Sequence, residues 1–542
     1  MPKRSFPNES TYKRFVESGR ESEFDRLFDE AAESVKAQFG KKYPMYIDGK
    51  EVLSSTTITE RSPIDNGMVI GHFQKGTREH ARQAIKAANN AFETWKNRNY
   101  KERVALFRNA AEVFSKNKFP LAAILSYENG KTRYESIGEV DEAIDFMRYY
   151  ANELEANKGY SRKTSKEESK TKVAAGFQGA PSTKPEKVDI RMEPFGVFGI
   201  IAPFNFPVSI STGMSTGAMI TGNTVVFKPS SSDSMTLLTG LKIYEYLKEA
   251  GIPDGVFNYV SGPGAEVGDE LVVNPDVAGI AFTGSRTVGT GMITKAYGLG
   301  LQKTFIVEMG GKNPAIVSRY ATLDDAVSGV ASAAFGFDGQ KCSACSRVYV
   351  HESIKEQFVS NLIEKARSFK IGNPLEKEIY MGPLISENAQ KVYSNAVEKA
   401  KSSGRVLYGG NIVNTGLNGY YVEPTIIEVN HDNELVHNEL FVPILTIEGY
   451  KDFDEAIKLA NDVPYGLTAA LYSKKNKEVK EFIGKIQAGT IYINRYTSAT
   501  TGAIVGLHTF VGWKGSSING KGSGSRFYLQ QFLREQSVSI TK

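Results

Sequence analysis

Residues 195–228 read FGVFGIIAPFNFPVSISTGMSTGAMITGNTVVFK, and no charged residue occurs from Pro194 to Phe227. That uncharged run is longer than the roughly 20 residues a membrane-spanning helix needs. Its interior argues otherwise, because Pro203 and Pro207 bracket Asn205, and Gly, Ser and Thr are scattered through the rest. A spanning helix would have to absorb two prolines and an amide near its centre, whereas a buried strand, a turn, a packed helix and a second strand take the same residues easily. The pattern continues downstream in VFNYVS, GIAFTG, TFIVEM and PAIVS, apolar runs separated by helical stretches. Such alternation indicates parallel βαβ units and a sheet covered on both faces, so the expected fold class is α/β. A second α/β pattern follows through RVYVHES, the helix KEQFVSNLIEKARSF, YVEPTIIEV, PILTIEGY, LTAALYS and GTIYINR.

Upstream, the first 40 residues are polar and helix-prone and form a leading arm, and YPMYIDGKEV reads as two short strands around an Asp-Gly turn. Ala81, Ala84, Ala88, Phe92 and Trp95 then make one apolar helical stripe, followed by helices through Val104–Phe114 and Ile137–Tyr150. Between Tyr160 and Val188 the composition turns to Lys, Ser and Gly, as in an exposed hairpin or flap. The tail FYLQQFLREQSVSITK ends in an alternating strand that could pair with another chain. With 542 residues, 41% hydrophobic and 23% charged, the chain is globular and neither disordered nor fibrous. A net charge of +5 without a basic stripe argues against a nucleic-acid partner. The N-terminus MPKRSFPNESTYKRF has no apolar stretch after its basic residues, so a cytoplasmic location away from membranes is expected.

Only two cysteines occur, Cys342 and Cys345 in FDGQKCSACSRVYV, too few for a disulfide framework. A CxxC pair can be a redox dithiol, half of a zinc site, a nucleophile beside a bystander thiol, or two small core residues. Zinc needs two more ligands, and the six histidines form no suitable cluster, so no metal is expected. Thirty-four residues upstream of Cys342, VEMGGKNP places Glu308 at the end of an apolar strand ahead of two glycines, where a carboxylate can act on a water molecule. In IIAPFNFP, Asn205 stands just past a strand end, where a side-chain amide can donate to an oxyanion. SGPGAEVG has glycines at 262, 264 and 268, one residue longer than the dinucleotide fingerprint. FTGSRTVG is better placed, since GIAF runs into Thr283, Gly284 and Ser285 ahead of a helix, where backbone N–H groups and a hydroxyl would meet a pyrophosphate. Lys228 in VVFKPS closes another strand, within reach of ribose hydroxyls.

In chain order, PFNFP, FKPS, FTGS, EMGGKNP, GQKCSACSR, NELFVP, NDVPYGLTAALYS and GTIYINR resemble the aldehyde dehydrogenase superfamily, from about residue 45 onward. Within it, YPMYIDGK, FTGSRTVG, GQKCSACSR and INR followed by TTGAIVG resemble the 1-pyrroline-5-carboxylate dehydrogenases, which oxidise L-glutamate γ-semialdehyde to glutamate. The resemblance implies a Rossmann-like NAD(P)-binding domain (45–160 and 189–307), an α/β catalytic domain (308–490), a substrate-anchoring loop region (491–521) and a small β flap for oligomerisation (161–188 and 522–542), behind a helical arm (1–44). It makes Cys342 the nucleophile and Cys345 its neighbour. Asn205 and the Cys342 N–H would hold the oxyanion of a thiohemiacetal, hydride would pass to the nicotinamide, and Glu308 would activate the water that releases the acid. For the cofactor it assigns Lys228 to the adenosine ribose, Gly264 to the adenine side and Gly284 and Ser285 to the pyrophosphate. Glu439 falls to the nicotinamide ribose, with Phe441 beside the ring. Ser231 stands where many NAD-preferring relatives carry a Glu that would repel a 2′-phosphate, so NADP stays open beside NAD. Ser343 and the turn Thr501, Gly502 and Ala503 would hold the carboxylate head of the substrate, with Phe206 and Phe510 sandwiching its aliphatic chain. The segment VGWKGSSINGKGSGS departs from its relatives, with Val511 and Trp513 where FGG is usual and GSS for SGT, which leaves another semialdehyde or an aliphatic aldehyde as an alternative. A catalytically silent scaffold on the same fold is the alternative from a different class. A homo-oligomer, a dimer or an assembly of dimers, is expected.

Overall fold

The computed structural model describes residues 6–163 and 186–541. Its core is two seven-stranded sheets, formed one after the other along the chain. The first runs in the order Thr304–Glu308, Val277–Thr283, Val197–Ile201, Thr224–Lys228, Phe257–Tyr259, Met45–Ile47, Lys50–Val52. Its first five strands are parallel, and the last two join antiparallel through the Asp48-Gly49 turn, where both residues have positive φ. The opening segment folds as its residue types require. Val197–Ile201 and Thr224–Lys228 are completely buried strands, and Ser209–Ile220 is a helix buried at every position except Ile210. Among the described residues no helix is long and apolar enough to cross a membrane.

The second sheet has the order Arg405–Tyr408, Thr425–Glu428, Ile444–Tyr450, Cys345–His351, Asn313–Val317, Thr468–Tyr472, Thr490–Ile493, with all neighbours parallel except the first pair. The chain crosses from the first sheet to the second between Glu308 and Asn313. The leading arm is two helices, Thr11–Glu17 and Glu21–Lys36. The second buries Phe24 and Phe28 completely and packs on the helix Lys118–Asn129, so the arm shares the core of the first sheet's half.

The tail strand Leu533–Thr541 does not wait for another chain. It pairs antiparallel along its whole length with Glu186–Pro194, whose other side receives Ser161–Lys163. The sequence alone could not show this, because the two partners are more than 300 residues apart. Most of the expected 161–188 flap lies outside the described residues.

Candidate active site

Glu308 is the last residue of the strand Thr304–Glu308, paired in register with Thr283, the last residue of its neighbour. Gly310 follows with φ +80°, and a Cβ on Gly311 would stand 2.4 Å from the Cys342 carbonyl, so this double glycine brings the two halves of the site together. The loop carrying Cys342 is held from the same side, because the Asn313 amide donates to the carbonyls of Cys342 (2.8 Å) and Ala344 (2.9 Å). Cys342 and Glu308 face one cavity of about 750 Å³, lined also by Thr283, Phe206, Ser343, Thr501, Gly502, Ala503 and Phe510. All six residues expected to contact substrate therefore meet at one place.

Burial, followed by the charges of Glu439 and Glu308, raises the Cys342 thiol well above its ordinary value. Burial does the same to Glu308, whose Oε2 has no hydrogen-bond partner. Cys345 is fully buried, its sulfur lies against the Arg347 carbonyl, and it does not line the cavity. Asn205, next to the cavity-lining Phe206, does not itself line the cavity; it is buried, and its amide donates one hydrogen to the Gln340 carbonyl at 3.1 Å.

The turn at 501–503 is fixed from below. Arg495 donates to the carbonyls of Thr501 (2.9 Å) and Gly502 (2.7 Å), Ser498 meets the Thr501 hydroxyl at 2.5 Å, and Thr500 donates to the Ser343 carbonyl at 2.6 Å. Phe206 lies under the Lys131 ammonium, 3.6 Å from the ring centroid. Lys131 is in turn paired with Glu139, which accepts from the N–H groups of Val208 (2.7 Å) and Ser209 (3.2 Å) at the start of the helix Ser209–Ile220. This buried pair and the Lys341–Glu135 pair (2.6 Å) beside Cys342 escaped the sequence reading. ENGKTRYESIGE carries the first, but nothing in a single chain marks a Lys and a Glu eight residues apart as partners.

Of the expected cofactor residues, Lys228 ends a strand of the first sheet and Gly264, Gly284 and Ser285 follow others, whereas Glu439 and Phe441 lie in the second half, ahead of the strand Ile444–Tyr450. Lys228 is buried, its ammonium donates to the Pro229 carbonyl (3.1 Å) and the Ser231 hydroxyl (3.0 Å), and burial lowers it to about 8. Gly264 begins a short helical turn, with open space where a Cβ would stand. Ser285 caps the helix Arg286–Gly298 by accepting from the Val288 N–H, and Gly284 precedes it where a Cβ would strike the Phe282 ring at 2.4 Å. Glu439 accepts from the Gly311 N–H at 2.8 Å, and burial raises it to about 7. Phe441 has φ +60° and meets Phe204 edge-on. A buried cation, an open glycine turn and a capped helix N-terminus along one sheet end make a cradle that fits a dinucleotide. Among the described residues, no group of three His, Cys, Asp or Glu side chains is arranged to hold a metal.

A family model for the aldehyde dehydrogenase family matches residues 51–538. The chain belongs to that family. A 1-pyrroline-5-carboxylate dehydrogenase of Halalkalibacterium halodurans is 35% identical over 520 residues, 95% of this chain and 96% of that one. The structure of 1-pyrroline-5-carboxylate dehydrogenase from Thermus with bound NAD aligns with TM-score 0.89 and 34% identity, and each chain is fully covered. Proline utilization A from Bdellovibrio bacteriovorus aligns with TM-score 0.90 and 33% identity over this whole chain, which spans only 54% of that longer protein. As an aldehyde dehydrogenase, the protein has the expected fold, two α/β halves with the cavity between them.

Proposed function

We propose that the protein oxidises L-glutamate γ-semialdehyde, the open form of 1-pyrroline-5-carboxylate, to L-glutamate. The observation that carries this reading is the meeting of Cys342 and Glu308 with Ser343 and the Thr501–Gly502–Ala503 turn in one cavity. The turn offers backbone N–H groups to a carboxylate, and Phe206 and Phe510 flank the space between it and the thiol. Cys342 adds to the aldehyde carbon to give a thiohemiacetal on its sulfur, and the Asn205 amide and the Cys342 N–H serve its oxyanion. One such donor is worth about 3 kcal/mol of the barrier. Loss of hydride leaves a thioester, and Glu308 takes a proton from the water that releases the acid and returns the thiol.

Lys228, Gly264, Gly284, Ser285, Glu439 and Phe441 would hold NAD, which would supply the hydride acceptor. A relative that holds NAD supports this reading, and Ser231, a hydroxyl rather than a carboxylate beside Lys228, leaves room for NADP. We assign the first sheet's half to cofactor binding and the second to the nucleophile. The small sheet of residues 161–163, 186–194 and 533–541 is assigned to contacts in a homo-oligomer.

The test is reduced-cofactor absorbance with NAD and NADP in parallel, against a panel of aldehydes that includes the semialdehyde. The expected result is the highest kcat/KM with the semialdehyde. A higher value with propanal or succinate semialdehyde removes the substrate assignment.

A further inference from the structure

The N-terminal arm forms part of the wall of the catalytic cavity. Asn8, Glu9, Ser10, Tyr12 and Lys13 line it together with Cys342 and Glu308, although more than 290 residues separate the two groups. The contact is built at several points. The Asn8 amide donates to Asp145 Oδ2 and to the Val505 carbonyl, each at 2.9 Å. The Glu9 N–H donates to Asp145 Oδ1 at 2.8 Å, and the N–H and hydroxyl of Thr11 donate to Asp141 at 2.6 and 2.7 Å. The Glu9 carboxylate is held by Lys118 (2.9 Å) and Arg148 (2.7 Å). Phe6 stands edge-on to Tyr149, 5.4 Å between centroids. Gly506 fits beside these rings at φ +77°, where a Cβ would come within 2.8 Å of Tyr149 and 3.3 Å of Phe6.

Val505 lies two residues beyond the Thr501–Ala503 turn. Arg495 fixes the near side of that turn by two carbonyls, and Asn8 fixes the far side by a third. Asn8 spans the gap between the helix Arg133–Ala156, which carries Asp145, and the loop that carries the turn.

We propose that Asn8 is a positioning residue for substrate, and that the arm clamps the 501–505 loop at the distance from Cys342 that a three-carbon spacer between carboxylate and aldehyde requires. This rests on the substrate reading above. A short aldehyde without a carboxylate head reacts at Cys342 without engaging the turn, so the two substrates separate a role in anchoring from a role in the fold.

The experiment compares the wild-type protein with Asn8→Ala, using glutamate semialdehyde and propanal at saturating NAD, and records thermal midpoints for both proteins. Asn8→Ala removes both amide hydrogen bonds, to Asp145 and to the Val505 carbonyl, and the loss of the second, which reaches the anchor loop, predicts a rise of about fivefold in KM for the semialdehyde. The kcat for that substrate, both constants for propanal and the thermal midpoint are expected to stay unchanged. Equal rises in KM for both aldehydes, or no rise for either, overturn the inference. A wild-type preference for the semialdehyde that Asn8→Ala leaves undiminished overturns the inference alone, whereas a wild-type protein without that preference overturns the substrate reading as well.

Discussion

A thiol and a carboxyl group that both face the cavity, each raised above its ordinary value by desolvation, carry the proposed chemistry at the scale of the residue. Both shifts favour the protonated forms, and each proposed step consumes one deprotonated form. The sign follows directly: for acids with raised values the active ionised fraction grows as pH rises, so kcat/KM is expected to climb from neutral into alkaline solution. A profile that falls over this range would contradict the roles of both groups. Cys342→Ala is expected to abolish cofactor reduction, while Cys345→Ala preserves it because Cys345 packs behind the cavity. Glu308→Gln is expected to give one burst of reduced cofactor and then stall, since the amide cannot take a proton from water. A full steady rate in stopped-flow absorbance would remove Glu308 as the base. Cys342 and Glu308 were legible in the sequence because strand ends followed by glycines or a CxxC leave few structural explanations for a buried nucleophile or acid. Lys341–Glu135 was not legible, because a Lys beside a Cys has as many surface explanations as buried ones.

Buried carboxylates hold the elements around the site. Glu139 caps the helix that follows the Asn205 loop and is paired with Lys131, both essentially fully buried. Removing one partner of a buried pair strands the other charge, at a cost of about 3–5 kcal/mol. Lys131→Met is therefore expected to lower stability by that order in denaturant titration and to loosen Phe206, whereas an unchanged midpoint would show the pair to be dispensable. A second pair, Glu60 and Glu128, receives the first N–H groups of the helix Leu237–Glu249. Burial raises Glu60 to about 7, and burial together with the charge of Glu60 raises Glu128 well above its ordinary value. The folded protein then keeps a proton that the unfolded chain releases above its ordinary value of 4.5. Stability consequently falls with rising pH between about 4.5 and 7, by about 1.4 kcal/mol per unit for one proton. Glu60→Gln is expected to flatten that slope in urea titrations taken at several pH values. The helices themselves were readable from apolar spacing, as in Ala81 to Trp95, which falls within the helix Arg78–Trp95. Their caps were not, because Glu60 and Glu128 lie more than 100 residues before the N–H groups they satisfy.

At the scale of the whole molecule, two α/β halves following one another along the chain were legible, since each buried strand is a nearly unbroken apolar run, whereas the strand order within each sheet was not. The destination of the tail and the route of the arm were not. Both are long-range pairings whose local sequence states only that a strand or a helix forms. Truncation after Phe532 removes the strand that pairs with Glu186–Pro194. The proposed role of this sheet predicts an oligomer for the full chain and monomers for the truncated one in sedimentation, and a truncated chain that sediments as the full one does would clear this sheet of that role.

The crossing between Glu308 and Asn313 divides the reactive groups between two bodies. The thiol travels with the second sheet, while Asn205 and Glu308 travel with the first, and the Asn205–Gln340 hydrogen bond bridges them. Such a division works as a safety catch. On the proposed roles, an acyl group on the sulfur of one half waits for a base that the other half carries, so its hydrolysis depends on the two halves standing in register.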